Sequence, residues 1–272
     1  MTYTEGLRAV VTGAASGIGA ALARRLAAGG ARVVVNDLDA DGARRVADEV
    51  GGVAAPGDAA TDEGAAALVR AAREGLGGVD LFCANAGVGA AGGPEAPDHD
   101  WERSWQVNVM AHVHAARHVL PEWLQRDSEV KGHFVATVSA AGLLTMPGHA
   151  PYAVTKHAAL AFAEWLSITY GDRGIKVSCI CPLGVRTPML EAALEDSVGG
   201  AALLRDELLE PSDVAEAVVA GIREERLLIF PHPQLAQYMA FKGGDNERWL
   251  AGMRRMVRGA REGGAAGRDR PT

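Results

Sequence analysis

The chain is predicted to fold as a doubly wound α/β structure: a parallel sheet of about seven strands with helices on both faces. Three observations carry this expectation. Short apolar runs alternate with long amphipathic segments through most of the 272 residues. Within the runs, apolar residues follow one another instead of alternating with polar ones, as in strands covered on both faces. A glycine-rich turn, from Gly13 to Gly19, joins the first run to the first helical segment.

Taken in order, residues 7–12 read as the first strand and 17–28 as the first helix. Strands at 32–36 and 53–55 follow, separated by a helix over 40–50. A helix at 62–74 precedes the strand 79–85, and a long helix spans 99–124. Strands 131–139 and 176–181 enclose a helix over 150–170. The helix 212–223 is opened by Pro211-Ser212-Asp213, a start signal, and leads to a last strand at 227–230. Two stretches break the rhythm. Residues 187–210 form a helical insertion on the substrate side, with Gly199-Gly200 as a hinge. After Pro231-His232-Pro233, a helical extension of the same domain covers 232–262 and includes Arg248, Trp249, Leu250 and Met253. The end, 263–272, is rich in Gly, Ala and Arg and is expected to be disordered.

Composition narrows the function classes. The chain is 48% hydrophobic and 22% charged with a net charge of −7, so no basic footprint points to nucleic acid or an anionic membrane surface. No apolar run approaches the ~18 residues of a membrane span, and the opening residues carry no charged-then-apolar leader. A cytoplasmic location is the default expectation. Of three cysteines, Cys179 and Cys181 lie two apart on a strand and share a face, which suits inert core thiols. His114, His118 and Glu122 make a helical stripe, but it lacks the H-E-x-x-H pattern and Pro121 disturbs its last turn. No metal is expected.

The turn Thr12-Gly13-Ala14-Ala15-Ser16-Gly17-Ile18-Gly19 sits between a strand and a helix, the context a dinucleotide site requires. Gly13 permits the tight turn, Gly17 lets the backbone approach a pyrophosphate, and Gly19 allows close packing of the helix. The N–H groups and partial positive charge at the helix start suit phosphate. Asp37 ends the second strand about 20 residues on, where a carboxylate accepts from ribose hydroxyls. At ~4 Å and an effective dielectric near 20, each pair of like charges between Asp37 and a 2′-phosphate costs about 4 kcal/mol. Leu38 follows it and Ser16 stands where an arginine would welcome phosphate, so NAD is expected over NADP.

Tyr152 and Lys156, four apart, share one face of a helix, and Ser139 precedes them. A nearby ammonium favours a phenolate and makes tyrosine a usable base. Taken with Asn85-Ala86-Gly87, Asn108 within Gln-Val-Asn-Val, and Pro182-Leu-Gly-Val-Arg-Thr-Pro188, these residues resemble the short-chain dehydrogenase/reductase family across roughly residues 5–230. The resemblance implies a Rossmann-type dinucleotide-binding and catalytic domain over 1–231. It implies Tyr152 as acid/base, Ser139 as a hydrogen-bond partner of the substrate oxygen, and Lys156 as a ribose ligand that lowers the tyrosine pKa. Asn108 would hold a relay water. Asp58, with Ala59, would contact adenine; Asn85 and Gly87 would line the cleft; Val185 and Thr187 would meet the nicotinamide amide. The chain departs from the family at Pro182-Leu183, where Pro-Gly is common, and in its C-terminal extension.

The expected activity is interconversion of a secondary alcohol and a ketone, with NAD as cofactor. Leu143, Leu144, Met146, Leu183, Met189, Leu190 and Leu194 suggest a small apolar substrate. The 150–170 helix, apolar nearly all round, points to a homodimer or homotetramer. An NADPH-dependent ketone reductase and a non-catalytic NAD-sensing protein remain as alternatives.

Overall fold

Seven strands pair in the order β3-β2-β1-β4-β5-β6-β7, all parallel. They are β1 Arg8–Thr12, β2 Arg32–Asn36, β3 Val53–Ala54, β4 Leu81–Ala84, β5 Gly132–Thr137, β6 Ile175–Ile180 and β7 Leu228–Ile229. The computed structural model describes residues 4–194 and 207–268. The middle strands are buried along nearly their whole length, which is why their sequences read as unbroken apolar runs.

Helices α1 (Gly17–Ala28), α2 (Ala40–Val50) and α9 (Pro211–Arg223) cover one face around Val11, Val35, Leu22 and Ile222. The other face is covered by α3 (Asp62–Leu76), α5 (Ala111–Leu124) and α7 (Ala150–Tyr170), packed on Phe82, Phe134, Trp123 and Leu166. Trp123 is fully buried and its indole N–H donates to Val79 O at 2.6 Å, so its burial leaves no orphan donor. Strand order reverses between β1 and β4. A crevice opens there at the carboxyl ends of the strands, the position where doubly wound sheets take ligands.

The structure departs from the sequence reading in four places. The helix expected over 99–124 is three pieces: α4 (Asp98–Trp105), a π turn (Gln106–Met110) and α5. A short α6 (Ala141–Leu144) follows β5, too brief for periodicity to reveal. The C-terminal extension is two helices, α10 (Leu235–Gly244) and α11 (Asn246–Arg268). The second of these corrects the expectation of disorder from 263: α11 runs on to Arg268, because extending an existing helix adds one hydrogen bond per residue fixed without a new nucleation cost. Residues 269–272 lie outside the described residues.

In the insertion, α8 (Pro188–Leu194) is helical as expected, and an isolated bridge pairs Val185 with Leu209. The Gly199-Gly200 hinge lies outside the described residues. No helix among the described residues is long and apolar enough to cross a membrane.

Candidate active site

The glycine turn occupies the crevice between β1 and β4. Gly13 has φ +63°, and a Cβ there would come within 2.8 Å of Ala86 Cα, so no other residue fits without moving the β4 loop. Gly17, with φ +54°, opens α1 and faces the Thr187 methyl. A Cβ on Gly19 would collide with Gly13 O and come within 2.6 Å of Asn85 Nδ2. The glycines thus let three backbone segments meet where a pyrophosphate needs bare N–H groups.

Asn85 ties these segments together. Its amide donates to Thr12 O at 2.9 Å and its carbonyl accepts from Thr137 Oγ1 at 3.0 Å, linking β1, β4 and β5. Asp37 accepts from the Ala15 N–H at 2.9 Å and from the Asp39 N–H at 3.0 Å, so its carboxylate leans on the glycine turn from the end of β2. Ser16 is exposed and makes no cap to α1, Ile18 packs on the α1 side of the core, and Leu38 projects outward, 71% exposed. Asp58 is exposed and its Oδ1 accepts from Ala60 N–H at 2.9 Å, while Ala59 is buried. A residue the sequence did not flag, Arg45 on α2, donates to Ala15 O at 3.1 Å. Asp58 and Ala59 follow β3, the strand that pairs with β2.

Beyond β5 the backbone is strained. Ser139 has φ +91°, a left-handed conformation rare for a residue with a side chain, and such strain concentrates at functional sites. It is held by its own N–H to Ile180 O (3.0 Å) and by the next residue's N–H to Pro182 O (2.8 Å). Its hydroxyl accepts from Ala141 N–H at 3.2 Å and stands close enough to the Tyr152 phenol to pull its pKa downward.

Lys156 follows Tyr152 by one turn of α7. Its Nζ lies 5.7 Å from the tyrosine ring centre and donates to Thr137 O at 2.7 Å. Gly87 makes room for it: a Cβ there would meet Lys156 Nζ at 3.3 Å and Asn108 Oδ1 at 3.2 Å. Asn108, fully buried on the π turn, accepts from Val88 N–H (2.9 Å) and donates to Val88 O (3.0 Å) and Thr155 Oγ1 (3.1 Å).

Electrostatics differ from the expectation at one point. Burial pushes the Lys156 ammonium down to about 8. Burial also raises Tyr152 above the usual phenol range, with the Ser139 hydrogen bond pulling the other way. Lys156 does not supply the expected lowering: its ammonium points at Thr137 O and is itself disfavoured by burial, so desolvation sets the direction for Tyr152.

Val185 is buried and paired with Leu209, and Thr187 directly precedes α8, its Oγ1 accepting from Leu190 N–H at 3.3 Å. Leu183 is absent from the positive-φ residues, so its loop follows a course that does not need the usual glycine. His232, which sequence reasoning passed over, accepts from Leu183 N–H at 3.2 Å. The histidine stripe does not converge. His114 meets Ala60 O, His118 meets Asp62, and Glu122 is held by Arg73 and Arg126. Among the described residues, no three His, Cys, Asp or Glu are placed to hold a metal ion.

A parallel sheet with a glycine cradle at its switch point, facing a serine, tyrosine and lysine, defines a dinucleotide-using oxidoreductase. The sequence profile described as short chain dehydrogenase matches residues 8–197, and the chain belongs to that family. It is 37% identical over 253 residues to the 1-deoxy-11-beta-hydroxypentalenate dehydrogenase of Streptomyces avermitilis, covering 89% of this chain and 91% of that one. It is 33% identical to a 2,5-dichloro-2,5-cyclohexadiene-1,4-diol dehydrogenase of Sphingobium indicum, over 80% of this chain and 90% of that one. Its fold matches a short chain dehydrogenase/reductase from Burkholderia phymatum in complex with NAD, with a TM-score of 0.81 and 31% identity, covering 91% of this chain and 96% of that one. The protein is thus an oxidoreductase of a family that uses nicotinamide cofactors.

Proposed function

We propose that the protein is an NAD-dependent dehydrogenase that interconverts a small apolar secondary alcohol and its ketone, with Tyr152 as acid/base. The observation that carries this is the alignment of Ser139, Tyr152 and Lys156 at the mouth of the glycine crevice. The relatives support the reaction class, being named as dehydrogenases of hydroxy compounds.

In this reading Gly13, Ser16, Gly17, Ile18 and Gly19 receive the pyrophosphate, and Asp37 and Leu38 the adenosine ribose. Asp58 and Ala59 border the adenine, while Asn85, Gly87, Val185 and Thr187 hold the nicotinamide end. When bound, NAD supplies the hydride acceptor and a positive charge beside the phenol. Ser139 and Tyr152 grip the substrate oxygen, and Tyr152 takes its proton in oxidation or returns it in reduction. Lys156 steadies the phenolate by its charge. Asn108 fixes the wall formed by Val88 and Gly87, against which the ammonium rests.

The carboxylate of Asp37 supports NAD over NADP by like-charge repulsion with a 2′-phosphate. The pocket side favours apolar substrates. Leu143 and Leu183 are half-buried against the core, Leu144 and Leu190 are buried, and Met189 reaches to within 3.7 Å of where a Gly89 Cβ would stand. Residues 1–231 carry cofactor and catalysis, with the insertion 187–210 on the substrate side. The extension 232–262 belongs to the same unit, since Tyr238 and Trp249 pack on its core and Lys242 donates to Leu143 O at 2.5 Å. A cytoplasmic homo-oligomer completes the reading.

The test is turnover of a panel of secondary alcohols with NAD and NADP, read by NADH absorbance, for wild type and Tyr152→Phe. The variant is expected to lose at least about a thousandfold in kcat while binding NAD as before, the scale of a lost acid/base. Near-normal turnover by Tyr152→Phe, or equal use of NADP, refutes the corresponding part.

A further inference from the structure

The loop between β6 and α8 carries a leucine where the family commonly has glycine, and the structure shows what replaces the missing freedom. The peptide unit joining Pro182 to Leu183 is clamped at both ends. Its carbonyl accepts from Ala140 N–H at 2.8 Å, directly after Ser139, and its N–H donates to His232 Nδ1 at 3.2 Å. The other ring nitrogen of His232 donates to Glu207 O at 3.1 Å. Both bonds are satisfied together by one neutral form of the ring, bare at Nδ1 and protonated at Nε2.

His232 is well placed to hold a peptide in position. It is 2% exposed and stands between Pro231 and Pro233, whose rings fix the backbone on either side. Its own carbonyl accepts from the N–H of Leu235, a fully buried residue of the core. The histidine is therefore a rigid post rooted in the C-terminal extension, reaching back 49 residues to the loop beside Ser139.

We infer that His232 is a positioning residue for the nicotinamide half of the cofactor site. By holding the Pro182–Leu183 peptide in one orientation, it sets the course of the chain into Val185 and Thr187. The inference rests on the cofactor reading above and adds to it a residue from outside the matched family region, which ends at 197. The remote adenosine half, at Asp37 and the glycine turn, does not pass through this peptide.

That asymmetry gives the test. Affinities for NADH and for ADP-ribose, which lacks the nicotinamide, are measured by fluorescence titration and calorimetry for wild type, His232→Leu, His232→Gln and His232→Asn. Asparagine keeps a side-chain acceptor near the Nδ1 position; glutamine places its polar atoms nearer Nε2; leucine keeps neither. His232→Leu and His232→Gln should bind NADH about tenfold more weakly and ADP-ribose within about twofold of wild type. His232→Asn should restore NADH affinity to within about threefold. Hydrogen exchange at the Leu183 amide should be faster in the leucine and glutamine variants and near wild type in the asparagine variant. Equal loss of both ligands, unchanged NADH affinity in His232→Leu, or no rescue by asparagine overturns the inference. Wild-type protein that binds neither ligand overturns the cofactor reading itself, and this inference with it.

Discussion

Lys156 is held in the charged form against a desolvation cost. It is 2% exposed, and burial brings its pKa from 10.5 to about 8. Below pH 8 both folded and unfolded chains carry the proton, and the full cost of burying the charge weighs on the native state. Between pH 8 and 10.5 the unfolded chain binds more protons than the folded one, so this cost fades as pH rises. Lys156→Met, similar in shape, is therefore expected to stabilise the protein at pH 7 by about 1–2 kcal/mol after allowing for the lost bond to Thr137 O. The gain should shrink above pH 8 while turnover is abolished. Urea denaturation at pH 7 and 9.5 measures it, and a destabilised variant at pH 7 contradicts the account. Tyr152, Lys156 and Ser139 were legible in sequence because their relation is local: one helical turn, and one strand end before it. His232 was not, since its partners lie 49 and 25 residues away and only the folded chain joins them.

At the scale of elements, the π turn between α4 and α5 shows where periodicity stops informing. Apolar spacing describes 99–124 as one helix, because five residues of altered winding barely disturb a 3.6-residue pattern. Yet this turn carries Asn108, whose amide makes three bonds that fix Val88 and Thr155. Asn108→Ala leaves the part-buried Val88 N–H without its acceptor, and is expected to cost about 1–2 kcal/mol in a denaturant titration. Turnover should fall as well, since the Val88–Gly87 wall beside Lys156 loses its support; unaltered kcat would leave Asn108 with a structural role alone. The seven strands, by contrast, were read to within a residue or two at most ends. Burial on both faces writes itself into sequence as an unbroken apolar run. The four-residue α6 and the continuation of α11 past 262 escaped because neither has an apolar period of its own: one is too short, the other rich in glycine.

Across the described molecule, α7 is an element with a face left over. Its inner side meets the sheet through Ala153, Ala159, Ala163 and Leu166. Its outer side presents Val154, Ala161, Trp165 and Ile168, spaced seven, four and three apart and so forming one stripe along the helix. Ile168 is 84% exposed and Trp165 51%, an arrangement that is unfavourable for an isolated subunit and suits a self-complementary interface. The sequence already hinted at this, since a helix apolar nearly all round has more than one face to cover. If the stripe joins subunits, charge placed on it repels its own copy across a two-fold axis. Trp165→Glu combined with Ile168→Glu is expected to shift the protein from oligomer to monomer in sedimentation experiments, with an unchanged circular dichroism spectrum. Because α7 also carries Tyr152 and Lys156, the monomer should turn over more slowly at equal NAD affinity. Should the double variant sediment as wild type does, this stripe is not a subunit interface.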